Sequence, residues 1–130
     1  MTIDNLEDYI KYRFIRAEES LDDAYILAQN NKWNTVANRL YYSCFYAVGA
    51  LLLKHNIETK THVGTRTQFG LQFIKPGLID KKFGKLYSKL FDYRQKGDYG
   101  DLYDFDKETI EPLIGPVKEF IEVIKIHINR

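Results

Sequence analysis

Asn38-Arg39-Leu40-Tyr41-Tyr42-Ser43-Cys44-Phe45-Tyr46-Ala47 sets four aromatic rings beside one arginine and then runs into Leu51-Leu52-Leu53. A helix this apolar around its circumference must be covered on nearly every side. At helical spacing Ala37, Leu40, Cys44, Val48 and Leu51 form one stripe, the expected core face. Arg39, Tyr42, Tyr46 and Gly49 form a second, amphipathic aromatic stripe. That stripe needs a partner of its own, whether another helix, another subunit or a ligand.

Upstream, Leu6, Ile10, Phe14, Ala17, Leu21, Ala24 and Ala28 recur at helical steps with charges between them, which predicts a long amphipathic helix ending near Asn30-Asn31. Downstream, residues 56 to 64 read as a connection, and Thr61 is placed to cap a short third helix that Lys75-Pro76-Gly77 stops. Phe83, Leu86, Tyr87, Leu90, Phe91 and Arg94 predict a fourth helix with Gly97 as its C-terminal cap. Asp106 is placed to cap a last helix with apolar positions from Ile110 to Ile128, bent or delayed by Pro112 and Pro116. No segment shows sustained period-two alternation with hairpin chemistry. The expected fold is therefore all-α, an up-and-down bundle of four long helices plus a short one, in a single domain over residues 1–130.

Lys and Arg number 19 against 18 for Asp and Glu, a net charge of +1. Attraction to a polyanion then depends on local segregation of charge. The lone cysteine, Cys44, falls inside the aromatic helix and reads as packing in a reducing compartment. The acidic N-terminus lacks the basic-then-apolar order of a secretory signal. The longest mostly apolar run, Leu40 to Leu53, is shorter than the roughly 20 residues that cross a bilayer. A cytoplasmic protein with no membrane segment is expected.

Phe83, Tyr87, Leu90 and Arg94 share one helical face, so Arg94 extends a core-facing stripe and its guanidinium needs an anion. Arg94-Gln95-Lys96-Gly97-Asp98-Tyr99-Gly100-Asp101 gathers cation, carboxylates and a phenol where the helix ends. One reading is an Arg94–Asp98 ion pair that closes the helix. The other makes Arg94 a phosphate ligand, because its fork of donors matches a phosphodiester, with Asp98 orienting it and Tyr99 stacking or hydrogen-bonding.

The helix order resembles that of the HEPN superfamily. So do Asn38-Arg39-Leu40-Tyr41-Tyr42-Ser43-Cys44-Phe45-Tyr46-Ala47 with Ala50-Leu51-Leu52, Thr61-His62-Val63-Gly64, and Arg94 with Asp98-Tyr99. The resemblance covers nearly the whole chain. It implies dimerisation that brings two such arginines towards a shared cleft, and a neighbouring minimal nucleotidyltransferase as partner in a toxin–antitoxin-like system. Active HEPN ribonucleases carry a histidine a short step after the arginine, and the corresponding positions here are Tyr99, Gly100 and Asp101. The departure falls where a proton would be transferred, and tyrosine is a poor base at neutral pH.

The leading expectation is a HEPN-like component that binds a nucleotide or RNA at Arg94, Asp98, Tyr99 and Arg39 without efficient cleavage. The family also suggests a tyrosine that accepts a nucleotidyl group, for which Tyr99 and Tyr103 are the candidates. The enzyme alternative is a metal-independent endoribonuclease in which Tyr99 or His62 stands in for the missing histidine and Arg94 stabilises charge. The third is a purely structural interaction module. Tyr42 and Tyr46 are assigned to a dimer or partner face, and Asn38 to a structural hydrogen bond. His55 and His127 lie near helix ends, where a partly charged ring suits the dipole. No histidine and carboxylate spacing indicates a metal cage, so neither metal nor cofactor is expected.

Overall fold

The computed structural model describes residues 3–99 and 104–130, with side chains described for residues 5–97 and from 104 onward. Helix α1, Ile3–Gln29, buries Ile10, Phe14, Ala17, Leu21 and Ala24, the stripe its spacing predicted, while Leu6 and Ala28 are half-buried. The chain reverses through Asn31, whose φ of 57° is left-handed, a conformation asparagine adopts more readily than most residues. Helix α2, Trp33–Lys54, follows, and a second left-handed asparagine, Asn56, ends it. Helix α3, His62–Phe69, begins at Thr61, whose hydroxyl accepts from the Gly64 amide at 2.9 Å. A π-helical turn, Gly70–Ile74, and Gly77 at φ +81° redirect the chain into α4, Lys81–Tyr99.

Gly97 does not cap α4. The helix continues to Tyr99, and Gly97 lies in its last turn against Phe105, where an added Cβ would sit 3.7 Å from the ring. Tyr93 packs on Phe105 as well, with ring centroids 5.0 Å apart, so contact with Phe105 accompanies the helical conformation that glycine alone disfavours. Asn34 fixes the returning chain: its Oδ1 accepts from the Phe105 amide at 2.7 Å and its Nδ2 donates to Asp104 at 3.1 Å.

The C-terminal helix is delayed as expected. Asp106 caps a single turn, α5, Lys107–Ile110, accepting from the Thr109 amide at 2.8 Å, and Pro112 falls in a 3₁₀ turn, Glu111–Leu113. Helix α6, Ile114–Ile128, then runs with Pro116 in its first turn, where a missing N–H breaks no intrahelical bond. The described residues contain no strand.

Helix α2 is the axis of the bundle, touching α1, α3, α4 and α6. Leu40, Cys44, Val48 and Leu51 are fully buried, and so is Tyr41, which lies between the two predicted stripes. Ala17, Ala24, Ala47 and Ala50 let α1 and α2 approach closely, and the buried Ser43 hydroxyl donates to the Ala17 carbonyl at 2.8 Å. Cys44 is packing, as expected, and burial pushes its thiol far above the ordinary range. Among the described residues, no helix is long and apolar enough to cross a membrane.

Candidate functional site

Helix α4 delivers Arg94 one turn beyond the fully buried Leu90 and two beyond the fully buried Tyr87. The side chain is half-buried, with its guanidinium carbon 5.7 Å from the ring centroids of both Tyr41 and Tyr42. The inward turn predicted from the Phe83, Tyr87, Leu90 spacing is therefore present. Arg94 lines a hollow of about 200 Å³ with Asn34, Asn38, Tyr93, Gly97 and Phe105. The side chains of Asp98 and Tyr99, and all of Asp101 and Tyr103, lie outside the described residues.

Arg39 joins the same ring from α2, its guanidinium carbon 5.1 Å from the Tyr42 centroid. Its Nε and Nη2 donate to Oδ1 of Asn38 at 3.0 and 2.8 Å. Asn38 is thus engaged by its own sequence neighbour within α2, where a bond across the bundle was expected. Aromatic faces attract cations, so Tyr42 is a platform for two guanidinium groups.

His62 comes from the first turn of α3. Thr61 caps that turn, the Thr65 hydroxyl donates to the Thr61 carbonyl at 3.0 Å, and the hydroxyls of Thr59 and Thr65 meet at 2.6 Å. These bonds fix the backbone that aims the imidazole. His62 Nδ1 lies 2.7 Å from the Tyr41 hydroxyl, and its ring lies 4.4 Å from Phe45 and 5.8 Å from Tyr42. His62 and Arg94 are thus brought to the same Tyr41–Tyr42 pair.

Burial pushes the Tyr41 phenol up to about 12, against the opposing pull of the Tyr87 hydroxyl and the Arg94 charge. Tyr41 therefore keeps its proton at neutral pH. When it donates to Nδ1, the proton of a neutral His62 resides on Nε2. Neither Tyr41 nor Tyr87 stands out in the sequence as a polar group, because each lies in a run that reads as plain core. Burial pushes the Tyr87 phenol well above its ordinary range too.

The Tyr42–Tyr46 stripe is partly covered within the chain. The two rings are 5.8 Å apart, and Arg16 of α1 reaches over Tyr46 at 5.5 Å. Both tyrosines remain half-buried. Arg66, which the sequence did not single out, stacks over Phe91 at 4.1 Å. His55 Nδ1 lies 3.1 Å from the Leu51 carbonyl. Burial first, then Arg130 and His55, lower the His127 pKa, opposite to the direction in which a helix C-terminal dipole would move it. No group of three or more His, Cys, Asp or Glu among the described residues is placed to hold a metal ion.

The HEPN domain family model matches residues 10–127. A UPF0332 protein of Thermotoga maritima is 38% identical over 119 residues, covering 92% of this chain and 90% of the relative. A Methanocaldococcus jannaschii protein named "Putative toxin" is 35% identical over 109 residues, 84% of this chain and 81% of the relative. A UPF0332 protein of Archaeoglobus fulgidus is 28% identical over 123 residues, 95% and 98% of the two chains. The match runs from the second turn of α1 to the last turn of α6, through every helix that builds the Tyr41–Tyr42 cluster, and this chain belongs to the HEPN domain family.

Proposed function

We propose that this protein is the toxin-like half of a two-component system and binds nucleotide or RNA phosphate at Arg94, with Arg39 beside it. The carrying observation is the Tyr42 ring, which Arg39 approaches from α2 at 5.1 Å, Arg94 from α4 at 5.7 Å and His62 from α3 at 5.8 Å. Guanidinium forks held at a half-buried ring suit phosphate oxygens, and their charge persists at any physiological pH. Two relatives from Methanocaldococcus jannaschii carry toxin in their names, which supports the toxin-like assignment.

The partners proposed are a second copy of the chain, bringing two Arg94 hollows towards one cleft, and a minimal nucleotidyltransferase, all in the cytoplasm. The phenol oxygen of Tyr99 or Tyr103 would attack the α-phosphorus of a nucleoside triphosphate held by the nucleotidyltransferase, releasing pyrophosphate and losing its proton to solvent. Intact mass after coexpression with a minimal nucleotidyltransferase tests this: an unchanged mass, or a nucleotidyl increment that the double variant Tyr99→Phe/Tyr103→Phe leaves in place, refutes the acceptor assignment. For the phosphate site, titration with single-stranded RNA decides, and equal affinity in wild type and Arg94→Ala refutes it.

A second reading, metal-independent RNA cleavage, draws support from the placement of His62 on the rings that carry Arg94. His62 would move the proton and Arg94 would stabilise charge on the phosphorane. Cutting that persists in chelator and disappears in both His62→Ala and Arg94→Ala is the expected sign. Uncut RNA across many sequences removes it.

A further inference from the structure

Between α1 and the start of α3, with His62 in its lining, lies a groove of about 370 Å³, within the size range of small-ligand sites. The charged side chains among its described lining are Arg13 and Lys60, both positive, and no carboxylate is among them. Its rings come from both sides, Tyr9 and Tyr12 from α1 and Tyr46 from α2. Tyr9 and Tyr12 are 49% and 59% exposed, so core packing does not account for them.

The threonines of the rim are committed elsewhere, Thr59 with Thr65 and Thr61 with the Gly64 amide. Recognition therefore falls to the cations and the rings. Arg13 donates from Nη1 to the Gly49 carbonyl at 3.3 Å, which anchors its fork beside the groove and leaves further N–H donors on the guanidinium. Rings with cations beside them and no acid are what a base and its phosphate require.

We infer that this groove takes a nucleoside phosphate unit, its base against Tyr12 or Tyr46 and its phosphate on Arg13 and Lys60. The inference rests on the reading of the protein as a nucleotide or RNA binder. His62 connects the two places, lining the groove while lying 4.4 Å from Phe45 and 5.8 Å from the Tyr42 ring that carries Arg94. The unit is either a free mononucleotide or the neighbour, along one strand, of a nucleotide held at Arg94.

Calorimetric titration with adenosine monophosphate and with a short single-stranded oligoadenylate tests it, using wild type, Tyr12→Ala, Lys60→Glu and Arg94→Ala. Tyr12 and Lys60 are exposed, so these two variants keep the fold, as circular dichroism checks. Loss of about tenfold is expected for each groove variant on the probe that occupies the groove. If the ligand is a free nucleotide, the groove variants lose monophosphate affinity equally and Arg94→Ala retains it. If it is a strand, all three variants weaken oligoadenylate.

Groove variants that bind both probes as wild type does overturn the inference. In that case loss in Arg94→Ala alone leaves the Arg94 reading standing, whereas a wild-type protein that binds neither probe removes both. A dimer that Tyr12→Ala converts to monomer with binding unchanged identifies the groove as a subunit contact and likewise overturns the inference.

Discussion

The Tyr41 hydroxyl lies 2.7 Å from Nδ1 of His62, joining a fully buried ring of α2 to a half-buried ring of α3. Tyr41→Phe removes that hydroxyl at almost constant volume. We expect a stability loss of about 1 kcal/mol in urea unfolding, with displaced imidazole resonances for His62 in NMR spectra. Identical imidazole signals in the two proteins would show that the contact does not set the ring's state.

Arg94 is held between two aromatic rings in a hollow, and the two explanations for it separate by mutation. As a phosphate ligand, Arg94→Ala lowers RNA affinity by about tenfold or more while helix content is retained, and Arg94→Lys recovers only part of it. As a purely structural lock, Arg94→Ala lowers the melting temperature and leaves affinity as it was.

Gly64→Ala is a local test of how α3 is aimed. Alanine favours helix by up to about 1 kcal/mol over glycine. Here, however, the new Cβ would stand 2.9 Å from the Thr61 hydroxyl oxygen that caps the helix, and losing such a cap costs about 1 kcal/mol. The expected outcome is no stabilisation in thermal melts and a shifted His62 environment. A clear rise in melting temperature would mean that the threonine turns aside without cost.

The bundle was legible because its apolar spacings are long and regular, in α1 from Ile10 to Ala24 and in α6 from Val117 to Ile124. Arg94 was legible for the same reason, one step beyond Phe83, Tyr87 and Leu90. Periodicity says which face a residue is on but not which polar atom it meets, so the Tyr41 to His62 bond and Arg66 on Phe91 were out of reach. Gly97 misled because glycine marks a helix end only when the chain needs a left-handed turn there, and contact with Phe105 accompanies continued helix instead.

His127 gives the fold a pH dependence of definite sign. Its pKa in the folded chain is lowered from 6.5, by burial first and then by Arg130 and His55, so the unfolded chain binds the proton more readily. This contribution to stability is complete above pH 6.5 and declines as the pH falls through and below that value. Urea unfolding at mildly acidic and mildly alkaline pH should show the decline, reduced in His127→Gln. An identical decline in the variant assigns it to other groups.

Cys44 is fully buried with its thiol pushed up, so the thiolate that alkylating reagents attack is scarce in the native protein. Iodoacetamide at neutral pH should leave the folded chain unmodified and label it in denaturant. Rapid native labelling would mean that the α2 core opens readily.

Ser43 reaches the Ala17 carbonyl through a seam where Ala17, Ala24, Ala47 and Ala50 are all fully buried. Backbones held this near each other slide or tilt only by breaking that bond and opening voids on both sides. The first two helices therefore behave as one stiff plate, and their amides should be among the slowest to exchange with deuterium.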